Sequence, residues 1–161
     1  MRRINHDESI TAYLYPNSES YVHIEKSVID KILYFRQNTL LQPESGGVLI
    51  GEYRGKHILI SHCTLPGQED EYSRLFYHRK SSHHQHELER IWSLYGTHTY
   101  IGEWHTHPEN TPTPSYLDIS EWKKNLPTDR IMIVLIVGIM EFYIAKIYGK
   151  EITPLQYNIE L

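Results

Sequence analysis

The chain has 161 residues, 40% of them hydrophobic and 22% charged, which suits one folded domain over residues 1–161 and excludes a disordered chain. Its formal net charge of -4 lacks the basic excess of a nucleic-acid binder. The only cysteine, Cys63, excludes an internal disulfide and points to a reducing compartment.

The residues Met1 to Glu8 carry charge with no apolar stretch behind them, so no signal peptide is expected and the cytoplasm is the expected location. Ser9 to Tyr15 and Tyr21 to Ile24 are rich in β-branched and aromatic residues and predict short strands. Ser27 to Gln37 has Val28, Ile29, Ile32, Leu33 and Phe35 at helical spacing. Gly46 to Tyr53 and His57 to Leu65 flank Arg54-Gly55-Lys56 and predict a hairpin. Arg74 to Arg79 is a short candidate strand. Ser81 to Leu94 predicts a serine-capped helix with Leu88, Ile91 and Leu94 on one side. Thr99 to His105 is the next strand, followed by a Pro-rich loop from Pro108 to Pro114 and a helix from Ser115 to about Asn125.

Ile131 to Met140 is the longest apolar run, shorter than the roughly 20 residues a membrane helix needs, so no membrane association is expected. Ile131 to Val137 and Glu141 to Tyr148 instead predict strands joined near Gly138, and the tail adds a further short strand. Strands and helices follow in mixed order, not in a regular alternation, which makes the class α+β.

The chemistry concentrates in Gly102-Glu103-Trp104-His105-Thr106-His107-Pro108 and Ser115-Tyr116-Leu117-Asp118. Histidines two apart on a strand share a face, so His105 and His107 converge, while Thr106 faces away. Pro108 ends the strand. Asp118 falls in the first turn of the following helix, where the helix N-terminus favours a carboxylate. Two imidazoles and a carboxylate suit Zn²⁺ and leave a fourth position for water. Such a site needs a base, for which Glu44, just before Ser45-Gly46-Gly47, is the candidate. Ser115 is a candidate donor to an oxyanion.

Together these residues resemble the JAMM motif of the JAB/MPN metallopeptidases. Ten residues separate His107 from Asp118, as that motif requires, and seven separate His107 from Ser115. Glu44 to Gly51 resembles the segment that carries the family's glutamate. The resemblance implies a curved mixed β-sheet flanked by helices. It also implies one Zn²⁺ per chain on His105, His107 and Asp118, Glu44 as general acid/base, and Ser115 at the oxyanion. The implied activity is hydrolysis of isopeptide or peptide bonds next to the C-terminus of ubiquitin-like proteins. With Phe76-Tyr77-His78-Arg79 ahead of a His-rich helix, the chain also resembles the small JAB peptidases of bacterial mobile elements and CBASS antiphage operons. There the implied partner is a modifier conjugated to a cyclic-nucleotide synthase.

Other readings compete at each position. Ser115 to Asp118 is also a capping-box variant. Glu44 has Glu52 and Glu103 as rivals, and Glu103, two residues before His105, is a candidate to orient an imidazole. His83, His84 and His86 read as a solvated helix face, because Arg90 stands where a zinc-protease helix needs its second histidine. Cys63 reads as core, and Trp104 and Tyr116 as packing walls. An inactive protein-binding scaffold is the alternative function. A nucleobase deaminase is excluded by the want of a Cys-x-x-Cys pair.

Overall fold

The computed structural model describes residues 2–39, 41–67, 70–73, 76–78 and 83–161, with segments 71–73 and 76–78 as backbone only. The strands are β1 (Ser9–Tyr13), β2 (Val22–Ile24), β3 (Gly46–Arg54), β4 (His57–Cys63), β5 (Glu71–Ser73), β6 (Phe76–His78), β7 (Thr99–Thr106), β8 (Met132–Val137), β9 (Phe142–Tyr148), β10 (Glu151–Pro154) and β11 (Gln156–Glu160). The helices are α1 (Lys26–Leu33), α2 (His83–Tyr95) and α3 (Tyr116–Asn125).

Nine strands form one sheet in the order β10-β9-β8-β7-β3-β4-β2-β1-β11, and β5 pairs with β6 alone. The β2–β4 and β7–β8 pairs are parallel and the others antiparallel, so the sheet is mixed. Its two edge strands, β10 and β11, are joined by Leu155 alone. Paired strands lie ~4.8 Å apart, so one residue cannot bridge nine of them laid flat. The sheet therefore curls until its edges meet, and Leu155 carries the β9–β10 ladder one residue further, its N–H donating to Ile144 O at 2.8 Å.

β8 explains the longest apolar run. All six of its residues are buried because the sheet is covered on both faces there. Ile133, Leu135 and Val137 join the large core that also holds Val28, Ile29 and Ile32 of α1 and Trp104 of β7. Met132, Val134 and Ile136 face Trp122 of α3 and Leu126, the residue that follows the helix. Among the described residues no helix is long and apolar enough to cross a membrane.

Several boundaries differ from expectation. β1 ends at Tyr13, not Tyr15. α1 stops at Leu33 because Arg36 turns inward, where its Nη2 donates to Ile4 O at 2.6 Å. The tail supplies two strands, β10 against β9 and β11 against β1. α2 buries His84 and Ile91 while Leu94 is exposed, so Leu94 leaves the expected stripe. The proposed serine cap at Ser81 lies outside the described residues, as do Arg74 and Arg79 of the strand expected around β6.

Candidate metal centre and peptidase site

β7 alternates as its sequence dictates, with Trp104 entering the large core and His105 facing α3. His107 follows directly, and its N–H continues the ladder to Val137 O at 3.0 Å. The two Nε2 atoms approach to 3.1 Å. Asp118 closes the group, with Oδ1 3.3 Å from His105 Nε2 and Oδ2 3.1 Å from His107 Nε2.

The competition foreseen between cap and site does not arise. Ser115 is the N-cap of α3, and its Oγ accepts from Asp118 N–H at 3.0 Å. Asp118 Oδ2 accepts from Ser115 N–H at 2.8 Å, so the capping box is complete. A carboxylate has lone pairs enough for the cap and the imidazoles together, and the box holds Asp118 in the rotamer that meets the histidines. One turn on, Trp122 is buried with its ring 6.1 Å from that of His105.

Glu44 reaches the cluster through a contact the sequence reading did not foresee. Thr106, expected only to face away, grips Ser45 twice: its N–H donates to Ser45 O and its Oγ1 accepts from Ser45 N–H, both at 2.9 Å. Glu44 is thereby set beside β7, and ligand-type atoms of Glu44, His105, His107 and Asp118 all lie within 4.8 Å of one another. Glu44 is 4% exposed, and its Oε2 is buried with no hydrogen-bond partner among the described residues. Burial pushes its carboxyl up to about 7; the neighbouring imidazoles oppose the rise and Asp118 adds to it.

Burial also works against the charge on Asp118, but hydrogen bonds from His105 and His107 and from the Ser115 backbone outweigh it and hold this carboxyl well below the usual range. Burial likewise opposes protonation of His107, yet Asp118, Glu44 and Glu109 together raise it above the ordinary imidazole value.

Of the rival residues, Glu52 pairs with Arg54 at 3.1 Å; a carboxylate not weighed from sequence, Glu109, lies 2.9 Å from His107 Nδ1. Trp104 is a buried wall whose Nε1 donates to Thr64 O at 2.9 Å, whereas Tyr116 is exposed and walls nothing. His84 corrects the solvated-face reading. It is buried, with Nε2 2.8 Å from Asp70 Oδ2 and Nδ1 against Thr64 Oγ1. His86 on the same helix is exposed. Cys63 is buried, and burial pushes its thiol up to about 12, which removes it as a nucleophile.

The donor set fits a zinc ion. Two imidazole nitrogens and a carboxylate face one point, and beside them Glu44 Oε2 is buried with no hydrogen-bond partner among the described residues.

With this geometry the comparisons agree. Residues 25–147 match the family of prokaryotic homologs of the JAB domain, and the chain belongs to that family. Its curated relatives carry one name. It is 42% identical over 137 residues to the CD-NTase/cGAS isopeptidase of Vibrio cholerae, covering 84% of this chain and 88% of that protein. It is 39% identical over 139 residues to the CD-NTase/cGAS isopeptidase of Escherichia coli, covering 86% and 89%. The Pseudomonas aeruginosa protein of the same name is 34% identical over 138 residues, with 83% and 87% covered. The solution structure of a Desulfitobacterium hafniense protein shares the fold, with a TM-score of 0.60 at 18% identity over 81% of this chain and 87% of that one.

Proposed function

We propose that the chain is a zinc-dependent isopeptidase that hydrolyses the amide bond after the C-terminus of a ubiquitin-like modifier and frees the protein to which it was conjugated. The name CD-NTase/cGAS isopeptidase, borne by three relatives, supports a cyclic-nucleotide synthase as that protein and antiphage defence as the setting. The observation that carries the reading is the convergence of Glu44, His105, His107 and Asp118 in one buried cluster. An inactive binding scaffold has no need of such a cluster.

His105 Nε2, His107 Nε2 and a carboxylate oxygen of Asp118 would hold the zinc. When bound, the ion would supply a Lewis acid and would make a water more acidic. Glu44 takes the proton of the attacking water at its buried Oε2 and passes it to the departing amine nitrogen. The burial that surrounds this carboxyl keeps it from resting as a solvated carboxylate and suits it to taking up and giving back a proton. Ser115 Oγ accepts from Asp118 N–H, which leaves the hydroxyl hydrogen free to donate to the oxyanion of the attacked carbonyl.

The test is zinc content of the purified chain together with cleavage of a ubiquitin-like fusion, with and without a chelator. About one zinc per chain and chelator-sensitive cleavage are expected, both lost in His107→Ala. A zinc-free wild-type chain, or equal cleavage of unrelated short peptides, refutes the proposal.

A further inference from the structure

Glu109 lies two residues beyond His107 and outside the four-residue cluster, with its side chain 48% exposed. Its Oε1 accepts a hydrogen bond from His107 Nδ1 at 2.9 Å. A carboxylate facing an imidazole nitrogen at this distance puts the proton on that nitrogen, and the opposite nitrogen then offers its lone pair. For His107 the opposite nitrogen is Nε2, the atom that faces His105 and Asp118.

The backbone that carries Glu109 is clamped. Ile139 N–H donates to Glu109 O at 2.7 Å, and Asn110 O accepts from Met140 N–H at 3.2 Å and Glu141 N–H at 3.0 Å. A Cβ on Gly138 would stand 2.8 Å from Glu109 O and 2.5 Å from Pro112 Cδ, so glycine is what lets the β8–β9 turn press against this loop. Glu109 is thus exposed at its tip and fixed at its base. The side chain is free to be replaced without opening the core.

We infer that Glu109 is a positioning residue for the zinc site. It holds His107 in the tautomer and ring orientation that present Nε2 to the metal, and it strengthens that nitrogen as a ligand. The inference rests on the zinc reading above. Partners of this kind are typically worth 10- to 100-fold in metal affinity.

The experiment is a competitive zinc titration against a chromophoric chelator, on wild type, Glu109→Ala and Glu109→Gln. It is paired with a ¹⁵N–¹H spectrum of the ring nitrogens of the zinc-loaded proteins. The expected result is a 10- to 100-fold weaker zinc affinity in Glu109→Ala, a smaller loss in Glu109→Gln, and a slowly exchanging His107 Nδ1–H in wild type that is lost in Glu109→Ala. Tight zinc binding by wild type with affinity unchanged within about twofold in Glu109→Ala overturns the positioning role and leaves the zinc site standing. A wild-type chain that takes up no zinc overturns both.

Discussion

Glu44→Gln separates what the buried carboxylate does for catalysis from what it does to stability. The group is 4% exposed, and its Oε2 has no hydrogen-bond partner among the described residues. Burial, the largest cause, lifts its carboxyl from 4.5 to about 7. A carboxyl that binds its proton more tightly when folded stabilises the fold most below about pH 4.5, and that contribution is lost as the pH rises through about 7. The full rise is equivalent to about 3 kcal/mol. The amide introduced by Glu44→Gln does not titrate, and the part of the His107 rise that Glu44 supplies is lost with the carboxylate and acts in the same direction. The difference in unfolding free energy between the variant and wild type, both zinc-free, should therefore shift towards the variant by about 2–3 kcal/mol between pH 5 and pH 8. Urea denaturation at the two pH values measures it. In the zinc-loaded enzyme the same substitution should lower turnover by about 10²- to 10⁴-fold while zinc stays bound. Parallel pH dependences of stability would show that Glu44 is not held against its charge. Turnover within about tenfold of wild type would show that it is not the base.

Three further substitutions or reactions probe the rest of the site. Ser115→Ala should reduce turnover by about 10²- to 10³-fold through the lost oxyanion donor, and cost about 1 kcal/mol of stability through the lost cap. A stability loss with unchanged kcat would reduce Ser115 to a cap. Gly102→Ala should lower the urea midpoint severely, because the new Cβ would fall 1.7 Å from Ile133 O in the parallel pair that carries His105. Soluble protein with a wild-type midpoint would contradict that packing. Cys63 should resist iodoacetamide at pH 8 in the native state and react once unfolded, since burial pushes its thiol up to about 12. Rapid labelling of the native chain would contradict its burial.

The sequence by itself determined the class of the fold and most of the site. Strand periodicity set His105 and His107 on one face, and a serine three residues ahead of Asp118 marked the start of the helix that brings this carboxylate to them. The apolar run at Ile131 read correctly as a strand, because it is too short for a membrane helix and its Ile and Val residues suit a buried strand.

What only the tertiary structure decided were contacts between distant segments. Local pattern carries no information about which loop a strand will meet, so nothing near Glu44 announced that Thr106, sixty-one residues beyond Ser45, would hold its neighbour from both sides. The same reason hid His84. On a polar helix its imidazole looked solvated, and only tertiary contact with Asp70 and Thr64 buries it. Glu109 was passed over in favour of Glu103, because alternation along β7 says nothing of a chain that has already left the strand at Thr106. Closure of the sheet was beyond sequence reading as well. It depends on β10 and β11 pairing with strands far apart in the chain, and curvature summed over nine strands brings those partners together.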